Sequence, residues 1–171
     1  MGHLATTIWI ICYFAVLLGL AGYGIHRYTM IFLYWRNRRK KPEPLSEFKD
    51  LPSVTVQLPI FNELHVVERL ISAVSNLDYP KDRLQIQILD DSIDETKQIC
   101  EAEYAKLIES GFDVELIHRD DRLGYKAGAL ENGMEFAKGE YIYILDADFV
   151  PEPDVLHQMI HFFTDEKVGM I

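Results

Sequence analysis

The chain has 171 residues, of which 49% are hydrophobic, and it carries a formal net charge of -10 at pH 7. Six of its 17 basic residues lie at or before Lys41, whereas all 27 acidic residues lie after it, which leaves a formal charge of -16 for the remainder. A part this acidic argues against nucleic acid as a partner. The two cysteines, Cys12 and Cys100, provide neither a disulfide framework nor the spacing of a metal site.

The first predicted element is a transmembrane helix. No charged residue lies between Leu4 and Ile25, and these 22 residues would form a helix roughly 33 Å long, enough to cross the hydrocarbon layer. Arg27 ends the apolar run, and three aromatic residues suited to a membrane interface follow, namely Tyr28, Tyr34 and Trp35. We therefore predict a transmembrane helix with an interfacial extension over residues 1–35.

A basic run at residues 36–41 follows this helix, whereas the amino terminus is the only charged group before the apolar run. The positive-inside rule predicts that everything from Pro42 onward is cytosolic. A cleaved signal peptide is the alternative, which the missing basic n-region and the long apolar run disfavour. Residues 36–52, with prolines at 42, 44 and 52, are interpreted as a basic juxtamembrane segment and linker.

Apolar strand patterns then alternate with amphipathic helical patterns. Strands are predicted over residues 54–58, 84–89, 114–117 and 141–145, and helices over residues 63–77, about 94–109, about 126–137 and after Pro153. This alternation predicts an α/β fold with a parallel sheet covered by helices. Ligands bind such sheets beyond the carboxyl ends of the strands.

Polar clusters follow all four predicted strands and should meet at that edge. They are Asn62 and Glu63, Asp90 and Asp91, His118 to Asp121, and Asp146 and Asp148. Four histidines, His65, His118, His157 and His161, show no metal-ligand spacing apart from the i, i+4 pair His157 and His161, which lacks a third ligand nearby. All four are expected on helix surfaces.

Asp90 and Asp91 can accept hydrogen bonds from a base N–H or from ribose hydroxyls. A helix cap is the alternative role for this segment. Capping would explain Ser92 and Asp94 but not two consecutive acids before them.

Lys126 is predicted near the amino end of a helix, where phosphate binding is favoured. Gly124 permits a tight turn and Gly128 permits a close approach of the backbone. Alone, Lys126 would be interpreted as a solvated lysine. Because the carboxylate clusters are predicted on the same edge, we favour the interpretation that Lys126 contacts a diphosphate.

Asp146 and Asp148 lie one residue apart at the end of an apolar run, interpreted as a buried strand, and in a continuing strand would face the same side. Two carboxylates this close repel each other unless a cation lies between or beside them. Mg²⁺ or Mn²⁺, completed by diphosphate oxygens and water, would remove the repulsion. An aspartate-rich turn leading to Pro151 is the alternative.

Four segments in this order resemble the family 2 inverting glycosyltransferases. They are VTVQLPIFN at 54–62, QILDDS at 87–92, GYKAG at 124–128 and LDADF at 145–149. The resemblance runs from about residue 53 to the end and is strongest with the membrane-bound branch that includes cellulose-synthase-like, mannan-synthase-like and ceramide-glucosyltransferase-like enzymes. It implies a GT-A nucleotide-sugar-binding domain over residues 53–171, incomplete at its carboxyl end.

The resemblance also implies a donor, an acceptor and a role for each matched residue. The donor would be of the UDP-glucose or GDP-mannose type, and the acceptor a polysaccharide or lipid. Asp90 and Asp91 would bind the nucleoside and Lys126 the phosphates. Asp146 would contact the sugar and, with Asp148, the metal. The residues expected to lie against the nucleobase of the donor are Pro59, Asn62 and Glu63.

An inverting transfer requires a base that deprotonates the acceptor hydroxyl. In the family this base follows the Asp-x-Asp segment at some distance, and processive members add a later Gln-x-x-Arg-Trp motif. Neither occurs in this sequence. We therefore expect no catalytic base within the chain, which would be the amino-terminal part of a longer enzyme and inactive alone.

Three other functional classes share part of this pattern. A phosphoacceptor receiver domain needs its carboxylate pair after the first strand, where this chain has Leu58 to Asn62. A glycoside hydrolase uses two carboxylates but does not need the diphosphate features around Lys126. A noncatalytic, membrane-anchored nucleotide-binding module remains the alternative function.

Overall fold

The computed structural model describes residues 2–40 and 42–171, which fall into two units, Met1–Glu43 and Pro44–Ile171. The described residues of the first unit contain one helix, α1, over Gly2–Asn37. Its 36 residues extend roughly 54 Å, and Arg27 ends the apolar run without ending the helix. By length and composition α1 could span a membrane, but an amino-terminal signal sequence meets the same criteria of length and composition.

Hydroxyl groups in α1 bond within the helix itself. Thr6, Thr7 and Thr29 donate to the carbonyl oxygens four residues earlier, at 2.9 to 3.0 Å. Polar groups satisfied in this way are compatible with a hydrocarbon environment.

The second unit is a four-stranded parallel sheet flanked by helices, as predicted. The strands are β1 Val54–Ile60, β2 Leu84–Asp90, β3 Asp113–His118 and β4 Tyr141–Ile144, in the order β3-β2-β1-β4. The helices are α2 Val67–Ser75, α3 Thr96–Glu109, α4 Tyr125–Met134 and α5 Val155–Ile160. Short 3₁₀ turns occupy Lys81–Arg83 and His161–Thr164. The carboxyl ends of the parallel strands therefore lie at one edge.

The apolar face of the sheet forms the core. Alternate residues of β1, including Val56 and Leu58, are fully buried with Ile86 and Ile88 of β2. Buried apolar residues of α2 and α3 belong to the same cluster: Val67, Leu70, Ile71, Val74, Cys100 and Leu107. Removal of this surface from water is the main stabilising contribution to this unit.

The opposite face of the two central strands is polar yet buried. Thr55 donates to the Gln85 side chain at 2.7 Å, and Gln57 donates to Gln87 at 3.0 Å. α4 approaches this layer closely at Gly133, where a Cβ atom would lie 2.7 Å from the amide nitrogen of Gln57. This polar layer thus holds α4, which carries Lys126 in its first turn, in place against the sheet.

The fourth strand differs from the buried strand that was predicted. β4 pairs with β1 alone at the edge of the sheet, and Ile144 is 48% exposed. Leu145 still donates to the carbonyl of Gln57 at 3.1 Å, but the chain then turns, and the N–H of Phe149 donates to the carbonyl of Asp146 at 3.0 Å. The Asp-x-Asp segment therefore lies in a turn. The buried strand was wrongly predicted because an apolar run by itself does not distinguish an edge strand from a central one.

Candidate functional site

A cleft of about 380 Å³ lies at the carboxyl edge of the sheet. It is lined by parts of the segments that follow β1, β2, β3 and β4, with α4 on one side. Six of the eight predicted site residues line it: Pro59, Glu63, Asp91, Lys126, Asp146 and Asp148. The other two, Asn62 and Asp90, lie outside its lining.

Asp91 follows β2 and reaches the cleft with its carboxylate held in place. The Nε and Nη2 atoms of Arg119 donate to the two Asp91 oxygens at 2.8 and 2.5 Å. Both side chains are largely buried, and the hydrogen bond to Asp91 raises the pKa of Arg119. A carboxylate has about four acceptor positions, so Asp91 retains acceptor capacity for a ligand N–H or hydroxyl.

Asp90 has a different environment, although it is adjacent in sequence. Its side chain is 1% exposed, accepts the N–H of Ser92 at 3.0 Å and contacts Nδ1 of His118 at 3.0 Å. Successive residues of an extended chain point to opposite sides, so Asp90 and Asp91 cannot both face the cleft. Asp90 therefore lies outside the cleft lining, with its carboxylate bonded to Ser92 and His118.

His118 was expected on a helix surface, and that expectation is wrong. It is the last residue of β3, and its side chain is 25% exposed beside Asp90. Spacing along the sequence could not predict this pairing, because the two residues become neighbours only when β2 and β3 pair in register.

Asn62 connects two loops instead of facing the cleft. Its φ of +55° lies in the left-handed region, which asparagine tolerates better than most residues. Its N–H donates to Oγ of Ser92 at 2.9 Å, and its side-chain oxygen accepts the N–H of Ile93 at 3.0 Å. These bonds fasten the loop after β1 to the loop after β2.

Lys126 and Asp146 form an ion pair across the cleft, between α4 and the turn after β4. Each side chain is 51% exposed, so the pair is screened by water and contributes little to stability. Lys126 lies in the first turn of α4, where unpaired N–H groups and the helix dipole favour an anion.

The carboxylates of Asp146 and Asp148 were predicted to hold a metal. Within residues 2–40 and 42–171, no group of three or more His, Cys, Asp or Glu side chains is arranged to hold an ion. Two hard carboxylates in an open turn nevertheless fit Mg²⁺ or Mn²⁺, provided that a diphosphate and water supply the remaining oxygens. Asp146 and Asp148 would hold such an ion.

Arg122 also lines the cleft and was not among the predicted site residues. Its guanidinium carbon lies 3.1 Å from the ring centroid of Phe61 and 5.2 Å from that of Tyr125. Such stacking is a favourable cation–π arrangement. A basic residue two positions before the GYKAG segment, in a strongly acidic domain, was the available signal.

Residues 55–171 match the sequence pattern of Glycosyl transferase family 2. The chain belongs to this family. Its relatives include Glucomannan 4-beta-mannosyltransferase 2 of Arabidopsis thaliana, which is 42% identical in an alignment of 145 positions that covers 78% of this chain and 27% of the relative. Probable glucomannan 4-beta-mannosyltransferase 7 of Oryza sativa subsp. japonica is 43% identical over 139 residues, 75% of this chain and 24% of that protein. The family 2 chain thus spans about a quarter of the length of these curated relatives.

Solved structures agree with the GT-A fold. The mannosyltransferase PcManGT from Pyrobaculum calidifontis, in complex with GDP-Man and Mn²⁺, has a TM-score of 0.69 and 29% identity, over 88% of this chain and 44% of that one. S. aureus TarS 1-349 in complex with UDP has a TM-score of 0.58 and 21% identity, over 67% of this chain and 33% of that one, and supports the fold alone. The predicted fold class is confirmed.

Proposed function

We propose that this family 2 chain is the donor-binding part of a membrane-anchored hexosyltransferase. Its donor is a nucleoside-diphosphate sugar, of the GDP-mannose type rather than UDP-glucose, and its acceptor a polysaccharide or a lipid. The observation that carries the proposal is the cleft itself, which gathers Asp91, Lys126, Asp146 and Asp148. The glucomannan mannosyltransferase relatives and the GDP-Man complex of PcManGT support the choice of donor and a polysaccharide acceptor.

The cleft residues divide the donor between them. Asp91 accepts hydrogen bonds from the nucleoside, and Pro59 and Glu63 line the same cleft. Lys126 leaves Asp146 for the donor phosphates at the start of α4. When bound at Asp146 and Asp148, Mg²⁺ or Mn²⁺ would stabilise the charge on the departing diphosphate.

Transfer with inversion also requires a base for the acceptor hydroxyl. We assign this role to none of the four cleft carboxylates, since the family resemblance assigns it to a carboxylate after the Asp-x-Asp segment. These four carboxylates are accordingly expected to serve donor and metal binding rather than deprotonation of the acceptor.

Nucleotide binding is the direct test. GDP and UDP would be titrated calorimetrically into the full chain in detergent, with and without Mn²⁺. We expect GDP to bind more tightly than UDP, and Mn²⁺ to strengthen GDP binding by about tenfold or more, the scale of one charge-assisted interaction. Asp148→Ala should abolish that strengthening.

Asp113→Ala is the matched control, because Asp113 pairs with Lys138 at the amino end of β3, away from the cleft lining. It should retain the effect of Mn²⁺. Binding of GDP that is independent of metal would remove the metal role, and failure of both nucleotides to bind would remove the donor site.

We further propose that α1 spans the membrane with the globular unit in the cytosol. The basic residues after the helix support this orientation. A fluorescent protein fused after Lys41 should fluoresce, and alkaline phosphatase fused there should be inactive. Glutamine at the four basic positions between 36 and 40 should weaken this preference, and strong phosphatase activity of the unaltered fusion would overturn it.

A further inference from the structure

Arg119, directly after β3, connects two parts of the cleft that are far apart in sequence. Its guanidinium makes the two-point contact with Asp91 after β2. The same group donates from Nη1 to the carbonyl of Leu123 and from Nη2 to the carbonyl of Tyr125, both at 3.2 Å. Its side chain is only 12% exposed. One largely buried cation thus contacts Asp91, the residue predicted to bind the nucleoside, and the loop that ends one residue before Lys126.

The loop from Leu123 to Tyr125 has a backbone that needs support. Gly124 has a φ of +74° and Tyr125 a φ of +51°, and non-glycine residues seldom adopt the second value. The two carbonyls that Arg119 binds flank these positions. Gly128 lies against the same group, since a Cβ atom there would be 2.9 Å from Nη1 of Arg119.

The chemistry of the contact is specific to arginine. A planar guanidinium presents five N–H donors in a fixed fork, which suits a carboxylate and two carbonyls at once. A lysine ammonium at this position would retain the charge but could not reproduce the planar two-point contact. Arg119 itself is not among the residues that line the cleft, so its influence on a ligand passes through Asp91 and the loop.

We propose that Arg119 is a positioning residue that holds the nucleoside side and the phosphate side of the cleft in one arrangement. This inference rests on the proposed function. Loss of the guanidinium should therefore impair both sides together, whereas changes at Asp91 or Lys126 should each impair mainly one side.

Titration of GMP and GDP, both with Mn²⁺, into the full chain in detergent separates the two sides. Asp91→Asn should weaken both nucleotides by a similar factor, and Lys126→Gln should reduce the preference for GDP over GMP. Arg119→Met should do both: weaken GMP by about tenfold and lower the GDP preference by a further severalfold. Arg119→Lys should resemble Arg119→Met in direction, and it serves as the test if the methionine variant does not fold.

Lys138→Met is the control, because it removes the ion pair with Asp113 on another part of the domain, and both affinities should persist. Wild-type affinities in folded Arg119→Lys would overturn the inference, as would loss of GMP affinity with an unchanged GDP preference. Those outcomes leave the proposed function intact. A wild-type chain that binds neither nucleotide would overturn both.

Discussion

The two ends of the cleft are built differently. At one end, the side chain of Asp91 is 5% exposed and both of its oxygens are bonded to Arg119. At the other end, Asp146 is 51% exposed and contacts Lys126 from a turn. The first end is organised by the chain itself, whereas the second presents charges that a diphosphate and a cation would rearrange.

The position of each strand in the sheet explains the difference. β2 lies between β1 and β3, so the segment after it is enclosed by loops on both sides. β4 has β1 as its partner at the edge, and the turn after it remains open. A preorganised end reduces the ordering cost of binding, while an open end allows ligands to enter.

The largest expected effect comes from displacing the 123–125 loop, which Arg119 bonds together with Asp91. A Cβ atom at Gly128 would lie 2.0 Å from the carbonyl oxygen of Leu123. Gly128→Ala must therefore displace the loop that Arg119 holds, and it should lower the free energy of unfolding by about 3 kcal/mol, the upper range for overpacking. We expect GDP binding to be lost in calorimetry.

Gly22→Ala is the matched control, because Gly22 is also helical and no other part of the described residues, 2–40 and 42–171, lies within 4 Å of its added Cβ. It should retain GDP binding and the thermal stability of the globular unit. Wild-type GDP affinity in Gly128→Ala would contradict the claim that the 123–125 loop is held in one arrangement.

A smaller effect should distinguish the two ends by stability alone. Asp91→Asn removes the charge that faces Arg119 in a buried pair and should cost about 2 kcal/mol of unfolding free energy in urea. Asp146→Asn alters a half-exposed pair and should cost less than about 1 kcal/mol.

Both variants keep side-chain size and polarity, so they serve as controls for each other. Equal losses at the two positions would show that the ends do not differ in preorganisation. A larger loss at Asp146 would reverse the comparison.

Much of the fold was predictable because the signals are local. Alternating strand and helix patterns correctly indicated the parallel sheet, and four polar clusters indicated the edge where the cleft lies. Lys126 was correctly expected in the first turn of a helix. These features depend on hydrophobic periodicity and on the general rule that parallel strands end at one edge.

Side-chain direction within the polar clusters was less predictable. Asp90 and Asp91 have the same chemistry, and only the pleat and the pairing with His118 decide that one is buried and the other lines the cleft. Asn62 lies outside the cleft lining, and its backbone N–H and side-chain oxygen are hydrogen-bonded to Ser92 and Ile93. Arg119 gave no separate signal, since its partners are 28 residues earlier and four to six residues later.

The apolar helix, the α/β alternation, the family 2 motifs and the edge on which the polar residues meet can all be inferred from the sequence, because they depend on patterns within short segments. Three features depend instead on the tertiary structure: β4 is an edge strand, Asp91 rather than Asp90 lines the cleft, and Arg119 bonds to both Asp91 and the 123–125 loop. The reason is physical: burial and ion pairing depend on which distant segments become neighbours, and short-range periodicity does not specify those neighbours.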